Sequence, residues 1–180
     1  PAEETIDGAK WICRSGVLES HKVKAIFGLH IWPGLEKGIV HSRVGELMSR
    51  SAEVNVDIYG KSSHIAKASE GIDALMAGSA FYRQAVAMEQ ALPAGIFRLL
   101  KFGKFHSGTA RNALSAHTHL EGSLRAFQDE VFYSLRAGIV SIGKDVERST
   151  GCTVNIYMND GYPAVMNPGG LGDVGEQQLR

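Results

Sequence analysis

The sequence contains little cysteine, no surplus of charge of either sign and no long apolar run. Cys13 and Cys152 lie far apart and form no C-x-x-C pair, which excludes a disulfide framework or zinc finger and predicts free thiols in a reducing compartment. Lysine plus arginine equals aspartate plus glutamate at 19 each, so the charge gives no support to a nucleic-acid or anionic membrane partner. No apolar run approaches the roughly 20 residues of a membrane span and no signal peptide is visible, so we expect a cytoplasmic protein.

An initiator methionine is also missing, since the chain begins at Pro1. We therefore expect the 180 residues to be an excised or trimmed piece of a longer chain. Hydrophobic residues make up 44% of the sequence and charged residues 21%, which is typical of a globular protein with one or two small domains.

The first fifty residues predict part of an α/β domain. A short helix is expected over 8–17, ending near Gly16, which is suited to a left-handed C-cap. The apolar run 23–29 then predicts a buried central strand, followed by a loop that contains proline and glycine. His30 falls at the C-terminal end of that strand, where ligand and catalytic groups emerge in parallel sheets.

Residues 52–159 have a clearer periodicity and predict the element order βαββαβ. Strands are expected over 52–60, 96–106, 115–127 and 152–160, and helices over 71–92 and 129–151. The core-facing residues are expected to be Ile72, Leu75, Met76, Tyr82 and Val86 in the first helix and Phe132, Leu135, Ile139, Ile142 and Val146 in the second. This order is the split βαβ, ferredoxin-like arrangement, with two helices on one face of the sheet and the other face open.

Several polar residues have the chemistry of a functional site, and each also has a plainer interpretation. Glu3 and Glu4 are adjacent carboxylates, which near a chain end are usually solvated surface charge. His64 lies in a glycine- and serine-rich turn, where it is either functional or a capping or solvent-facing residue. Asn112 is suited to anchoring a carbonyl or oxyanion, and Arg125 to binding a carboxylate, but either is also ordinary on a strand face.

Two histidines share one face of the strand predicted over 115–127. His117 and His119 lie on that face together with Glu121 and Arg125. The histidines are interpreted either as metal ligands or as surface polar residues. The lack of a third ligand in reach favours the interpretation as surface polar residues. A surface ion pair with Glu121 is the plainer interpretation of Arg125.

Five short motifs occur in order along nearly the whole chain, namely PAEE, GLHIWP, GKSSH…GIDAL, SGTARN and LEGSLRAF. Each is weak alone, but their order and spacing resemble the metal-dependent amidohydrolases of the aminoacylase and carboxypeptidase family. The sequence looks most like the branch of hippurate hydrolase, N-acetyl-diaminopimelate deacetylase and indoleacetyl-amino-acid hydrolase. The implied reaction is hydrolysis of an N-acyl or N-aroyl amino acid.

The resemblance implies a fold and an oligomeric state. Family members combine a zinc-peptidase-like α/β catalytic domain with a ferredoxin-like lid that dimerises. We therefore expect part of the catalytic domain over 1–49, the lid and dimerisation domain over 50–160, and a return segment over 161–180. The expected fold class is α/β with an α+β lid. The expected partners are an N-acyl amino acid substrate and a second copy of the chain.

The resemblance also implies a metal centre. Glu3 matches the general base that activates a metal-bound water, while Glu4 and His30 match metal ligands. Two divalent ions are implied in the full-length protein, zinc or else manganese, cobalt or nickel. Such a pair lowers the pKa of a bridging water to about 7 and polarises the scissile carbonyl.

Three residues of the predicted lid match substrate-binding positions. His64 matches the histidine that enters the partner subunit's active site and stabilises the tetrahedral oxyanion. Asn112 and Arg125 match residues that hold the substrate's backbone and carboxylate, and we expect them to lie near each other.

The sequence departs from the family pattern in two ways. Ala68 and Ser69 stand where members commonly carry a second lid histidine. The family's further metal ligands, which lie upstream and downstream of this stretch, are not present. Because a catalytic zinc site takes three protein ligands, we expect this chain alone to bind no metal and to be inactive. Two alternatives to an enzyme fragment are a non-catalytic dimerisation module and an unrelated ferredoxin-like regulator that binds a small molecule.

Overall fold

The computed structural model describes residues 8–159 and 161–169. Among the described residues, 46–159 and 161–166 form one compact unit, and 8–45 and 167–169 form a second. The elements in chain order are α1 (Gly8–Arg14), α2 (Val17–Ser20), β1 (Gly45–Met48), β2 (Arg50–Tyr59), α3 (Ala74–Gln90), β3 (Arg98–Ser107), β4 (His117–Ala126), α4 (Asp129–Thr150), β5 (Thr153–Met158) and β6 (Val165–Asn167), with a 3₁₀ helix at Ile65–Glu70. Among the described residues, none of the helices has the length and apolar character needed to span a membrane.

A four-stranded antiparallel sheet is the frame of the larger unit. Its strand order is β3-β4-β2-β5, so β2 pairs with β4 on one side and with β5 on the other. With α3 and α4 as connections, the predicted order βαββαβ is observed. The strand order and directions are compatible with the ferredoxin-like arrangement. β1 and β6 form a separate two-stranded sheet.

One face of the four-stranded sheet carries both helices and forms the core. Val54, Val56 and Ile58 of β2 are fully buried there, as are Leu120 and Leu124 of β4. The residues between them point to the opposite, open face, because successive side chains of a strand alternate. Burial of each large aliphatic side chain contributes about 1.5–3 kcal/mol to folding.

α4 buries the residues that the sequence predicts. Its five core positions are Phe132, Leu135, Ile139, Ile142 and Val146. Two carboxylates, Asp129 and Glu130, occupy its first turn, where the helix dipole favours negative charge. The helix ends at Gly151, which has a φ of 75° and forms the left-handed C-cap that favours glycine.

α3 buries a different face from the predicted one. Its core side is Ala74, Ala77, Gly78, Phe81, Ala85 and Glu89. Of the five predicted residues, Ile72 and Val86 are partly buried, while Leu75, Met76 and Tyr82 are 50%, 55% and 41% exposed. The helix lies very close to the sheet, since a Cβ on Gly78 would lie 2.5 Å from Cγ2 of Thr118. Mostly small residues fit this gap, so the predicted face was wrong.

The predicted central strand over 23–29 is also wrong, because this segment forms no strand. Its apolar side chains are exposed, with Phe27 at 65% and Leu29 at 86%. A strand needs neighbouring strands to pair its backbone groups, and no described strand pairs with this segment. The helix predicted over 8–17 ends at Arg14, and Gly16, with a φ of 72°, precedes the second short helix.

The two cysteines are free thiols in different units, and their environments contrast. Cys13 is exposed on α1. Cys152 is buried after the end of α4, with its Sγ 3.8 Å from the carbonyl oxygen of Asp73. Asp73 is the N-cap of α3, so this thiol lies where the end of one core helix meets the start of the other.

One arginine organises the turn between α3 and β3. The guanidinium of Arg98 donates hydrogen bonds to four main-chain carbonyls at 2.8–3.1 Å. The four carbonyls are those of Glu89, Leu92, Pro93 and Ile96. Arg98 Nε also lies 3.7 Å from the Glu89 carboxylate, whose other oxygen is 3.2 Å from Lys101 Nζ. Arg98 therefore ties the carbonyl of Glu89, in the last turn of α3, to three carbonyls of the loop that follows the helix.

We expect Arg98→Lys to lower the free energy of unfolding by about 2–4 kcal/mol, because lysine keeps the charge but loses the planar fork of donors. The measurement is urea unfolding followed by circular dichroism. Lys101→Ala is the control, since Lys101 is itself exposed and its loss leaves the buried Glu89 carboxylate in contact with Arg98, so its effect should be the smaller one. Equal losses in the two variants would contradict the role of Arg98.

Candidate functional site

His64 lies in the turn that continues β2 past its last residue. The main chain on either side of it is bonded to the loop between β3 and β4. The N–H of Leu114 donates to the carbonyl of Ser63 at 2.9 Å, and the N–H of Ile65 donates to the carbonyl of Asn112 at 3.0 Å. Two residues that the sequence singled out separately, His64 and Asn112, are thus brought together by main-chain hydrogen bonds.

The imidazole of His64 has a defined tautomer. Its Nδ1 accepts the N–H of Ala66 at 3.2 Å, which caps the 3₁₀ helix. An accepting nitrogen carries no proton, so the proton of the neutral ring is on Nε2. The residue is exposed, and no described residue accepts from Nε2. The capping and functional interpretations are therefore compatible, because they use different nitrogens.

The loop that carries Asn112 also lines a shallow cavity beside the start of α3. Its volume is about 280 Å³, and its lining includes Leu75, Thr109, Arg111, Ala113 and Ser115. Arg111 is the cation among the lining residues. It is a residue that sequence reasoning missed, although it lies within the SGTARN motif next to Asn112.

Arg125 lies at the other end of β4 from His64 and Asn112. The first residue of β4, His117, pairs with Tyr59 beside the His64 turn, whereas Arg125 pairs near the start of β2. Arg125 is eight positions along the strand from His117, which corresponds to about 26 Å. The expectation that Asn112 and Arg125 are neighbours is therefore wrong within one chain.

The side chain of Arg125 is exposed on the open face of the sheet, as predicted. It forms no ion pair or hydrogen bond with the residues that the structure describes. The plainer interpretation of Arg125, an ion pair with Glu121, does not hold. The Glu121 carboxylate is instead 2.6 Å from Lys104 Nζ and 2.9 Å from His119 Nε2.

A histidine–carboxylate network occupies the middle of the open face. One oxygen of Asp57 contacts His117 Nε2 at 2.8 Å and His119 Nδ1 at 2.9 Å. The second nitrogen of His119 contacts Glu121, so both of its ring nitrogens face carboxylate oxygens. Both must then donate, which requires a positively charged imidazolium. The ring of His117 also stacks on Tyr59 with centroids 4.8 Å apart.

These contacts shift three pKa values. Hydrogen bonds to Glu121 and then to Asp57 raise the pKa of His119 above its ordinary value. Burial alone would raise the pKa of Asp57, but its hydrogen bonds to His117 and His119 outweigh that effect and lower the pKa. Lys104, followed by His119, lowers the pKa of Glu121. The histidines of the HTH motif thus belong to a hydrogen-bonded surface network.

The predicted metal residues form no complete site in the described part of the chain. Glu3 and Glu4 lie outside the described residues. His30 is exposed, and its Nδ1–H donates to the carbonyl of Ile31 at 2.6 Å, which leaves the Nε2 lone pair free for a metal. Across 8–159 and 161–169, no three His, Cys, Asp or Glu residues are arranged to hold a metal ion. One ligand is too few, since a catalytic zinc site takes three.

The chain belongs to the peptidase family M20/M25/M40, whose family model matches residues 1–180. The N-acetyldiaminopimelate deacetylase of Lacticaseibacillus casei (strain BL23) is 33% identical over 172 residues, covering 93% of this chain and 45% of that protein. The enzyme of the same name from Limosilactobacillus fermentum (strain NBRC 3956 / LMG 18251) is 30% identical over 166 residues, covering 89% and 42%. The chain thus spans about half the length of the curated relatives it matches.

Solved structures give the same family assignment. A protein of methicillin-resistant Staphylococcus aureus, provisionally named an aminohydrolase, superimposes with a TM-score of 0.87 at 26% identity, covering 99% of this chain and 48% of that one. A Bacillus subtilis protein described as a dinuclear metal binding peptidase from the M20 family gives 0.70 at 25% identity, covering 98% and 44%. The family resemblance of the five motifs is confirmed.

We expect His119 to make the stability of the larger unit depend on pH. Its pKa is raised in the folded state, so its contribution is complete below the unfolded value of about 6.5 and is lost as the pH rises through the folded value. The loss of unfolding free energy in His119→Asn should therefore be larger at about pH 5.5 than at about pH 9. Urea unfolding at the two pH values measures it.

The matched control is His106→Asn, because His106 is exposed on β3 directly opposite His119 and lies outside the network. The loss in His119→Asn is compared with the loss in this variant at each pH. The lowered pKa of Asp57 affects stability in a different pH range. Its contribution to the free energy of unfolding is lost only as the pH falls through the folded pKa of Asp57. A loss in His119→Asn that does not change with pH would contradict the imidazolium.

Proposed function

We propose that the chain is the lid and part of the catalytic domain of a longer, metal-dependent amidohydrolase that cleaves N-acyl amino acids. Membership of the family supports the reaction class. Similarity to proteins named N-acetyldiaminopimelate deacetylase supports an acylated amino acid as the substrate. The length of those relatives supports a longer whole protein, in which zinc or another divalent ion would be held by Glu4, His30 and ligands from outside this chain, with Glu3 as the general base.

The observation that carries the proposal is the geometry of His64. Its main chain is fixed on both sides by the β3–β4 loop, and its tautomer presents Nε2–H outward. A donor fixed in advance stabilises the negative charge that develops on a carbonyl oxygen, because it does not have to reorient during the reaction. We propose that Nε2–H of His64 donates to the oxyanion of the scissile amide. Asn112, in the adjacent loop, would hold the substrate's backbone.

Dimerisation through the edge strand β3 is the second part of the proposal. The other edge, β5, is covered by α4, because Glu147 accepts the N–H of Val154 at 2.8 Å and Arg136 donates to the carbonyl of Met158 at 3.3 Å. No side chain of the described residues covers β3 in this way. An uncovered edge strand is a ready partner for a second strand.

An exposed apolar surface beside β3 supports the same interface. It consists of Leu75, Met76 and Tyr82 on α3 and Phe105 on β3, which is 39% exposed. The ring of Tyr82 lies 6.0 Å from that of Phe102, so the helix residues adjoin the strand. Two-fold pairing of β3 with its copy would bury this surface in both chains.

The distance between Arg125 and His64 then determines how an active site is assembled. About 26 Å of strand separates Arg125 from the His64 end of β4, so one small N-acyl amino acid cannot contact both in the same chain. We propose that each active site of the dimer takes His64 and Asn112 from one chain and Arg125 from the other. Arg125 has no partner among the described residues, so its guanidinium is free to bind a substrate carboxylate.

The alternative function, a non-catalytic dimerisation module, uses the same edge strand. We propose that this is how the 180-residue chain behaves in isolation, because it contains too few metal ligands for the reaction. It should associate in solution but hydrolyse no N-acyl amino acid.

In the full-length protein, we expect His64→Ala to lower kcat by about two to three orders of magnitude, the usual effect of losing one oxyanion donor. The melting temperature should change little, because the side chain is exposed. Steady-state kinetics on N-acyl amino acids and thermal unfolding are the measurements. His106→Ala is the control and should leave both unchanged. An unchanged kcat in His64→Ala would leave His64 as a helix cap only.

Mixed dimers test the shared active site. Arg125→Lys keeps the positive charge but loses the planar guanidinium that can bind a carboxylate through two hydrogen bonds, so kcat/KM for N-acyl amino acids should fall at least about tenfold. The corresponding amides, which lack the carboxylate, should be much less affected. A dimer of one Arg125→Lys chain and one His64→Ala chain contains one intact site and one doubly impaired site. Mixing the two impaired homodimers should raise the rate to about a quarter of the wild-type rate once subunits exchange. No recovery after verified exchange would contradict this assembly.

A further inference from the structure

We propose that Gly71 is a positioning residue for His64, because its missing side chain lets the turn between β2 and α3 close tightly enough to fix the histidine. The consequence for the reaction rate rests on the proposed function. The consequence for the histidine ring does not, and it is measurable in the chain itself.

The turn is closed by a pair of main-chain hydrogen bonds at its base. Lys61 and Ile72 donate to each other's carbonyls at 2.8 and 2.9 Å, and together they enclose both His64 and Gly71. The strand leading into the turn has no room for a side chain at Gly60 either, where a Cβ would lie 2.2 Å from the carbonyl oxygen of Ile72. The turn is therefore closely packed from its base.

Backbone conformation does not require glycine at position 71. Gly71 has a φ of −110° and a ψ of 177°, an extended conformation that any residue adopts. Glycine is usually selected where φ is positive, and that reason is absent here. The requirement for glycine at this position is therefore one of space.

The space beside Gly71 is filled by the residues that hold His64. A Cβ at this position would lie 2.5 Å from Ser63 Oγ, 2.8 Å from the carbonyl oxygen of Lys61 and 2.9 Å from Leu114 Cδ1. The Lys61 carbonyl accepts the closing hydrogen bond from Ile72, and Leu114 donates to the carbonyl of Ser63. A methyl group at 71 would therefore press on the hydrogen-bonded base of the turn and on the two residues, Ser63 and Leu114, that form one of the main-chain attachments of the histidine.

The nearest of these contacts can be removed separately. Ser63 Oγ is buried and has no hydrogen-bond partner, so Ser63→Ala removes an atom that satisfies nothing. By itself this substitution should leave His64 unchanged. Combined with Gly71→Ala, it removes the 2.5 Å contact and should restore part of the original geometry.

The experiment compares wild type, Gly71→Ala, Ser63→Ala and the double variant in the 180-residue chain. Imidazole ¹⁵N shifts report the tautomer of His64, and amide hydrogen exchange reports the bonds of Ile65 and Leu114. In Gly71→Ala we expect loss of the single Nε2–H tautomer and at least about tenfold faster exchange at Ile65 and Leu114, with exchange at core Val56 unchanged. Ser63→Ala should match wild type, and the double variant should lie between the two.

Gly103→Ala is a second control, because a Cβ there meets no atom within 4 Å. In the full-length protein, Gly71→Ala should lower kcat at least about tenfold and leave KM within about threefold, as expected for misplacing a group that acts in the transition state. If Gly71→Ala does not fold, the comparison of the double variant with Ser63→Ala replaces it.

A wild-type ring spectrum and wild-type exchange at Ile65 in Gly71→Ala would overturn the inference. The inference would also be overturned if Gly71→Ala changes the ring spectrum of His64 but not kcat, although His64→Ala lowers kcat. If instead His64→Ala has no effect on kcat, the proposed function fails, and the ring spectrum alone decides whether Gly71 positions the histidine.

Discussion

Main-chain pairing of β2 is the interaction on which the larger unit depends. The strand pairs with β4 over ten residues and with β5 over six, so it has neighbours on both sides. Its inward residues join the core, Asp57 on its outward face joins the histidine–carboxylate network, and its continuation carries His64. A shift of one residue in the register of β2 would exchange its two faces. It would therefore displace the core residues, Asp57 and His64 together. The register of one strand therefore links folding to the proposed site.

The fold could be predicted from the sequence wherever large apolar residues repeat with a regular period. α4 satisfies that condition, and its five predicted core residues are all buried. α3 does not, because its core side is mostly alanine and glycine, which are only weakly hydrophobic. The larger apolar residues Leu75, Met76 and Tyr82 are exposed, so the apolar pattern predicts the wrong face of the helix as its core side. Periodicity cannot reveal how closely a helix approaches a sheet. The segment 23–29 shows a related limit, since an apolar run predicts a strand only if neighbours are available to pair with it.

The site could be predicted residue by residue but not in its arrangement. The motifs identified His64, Asn112 and Arg125, and their roles stay predictions. The pairing of the His64 turn with the β3–β4 loop joins segments almost fifty residues apart in sequence, and no local pattern encodes it. The distance between Arg125 and His64 follows from the length of β4. It becomes evident only when the rise per residue of a strand is multiplied by the number of residues along β4. Gly71 stands in the GIDAL motif, but nothing in the motif indicates its role, because its constraint is the absence of space in three dimensions.

The contrast between the two cysteines gives each unit its own chemical reporter. Cys13 is exposed to any thiol reagent, whereas Cys152 is buried where α4 ends and α3 begins. Alkylation of Cys152 requires those helix ends to part, so its labelling rate follows opening of the core itself. Mass spectrometry of the labelled chain would read both thiols in one sample. Breathing motions of the larger unit are thus measurable without introducing a probe.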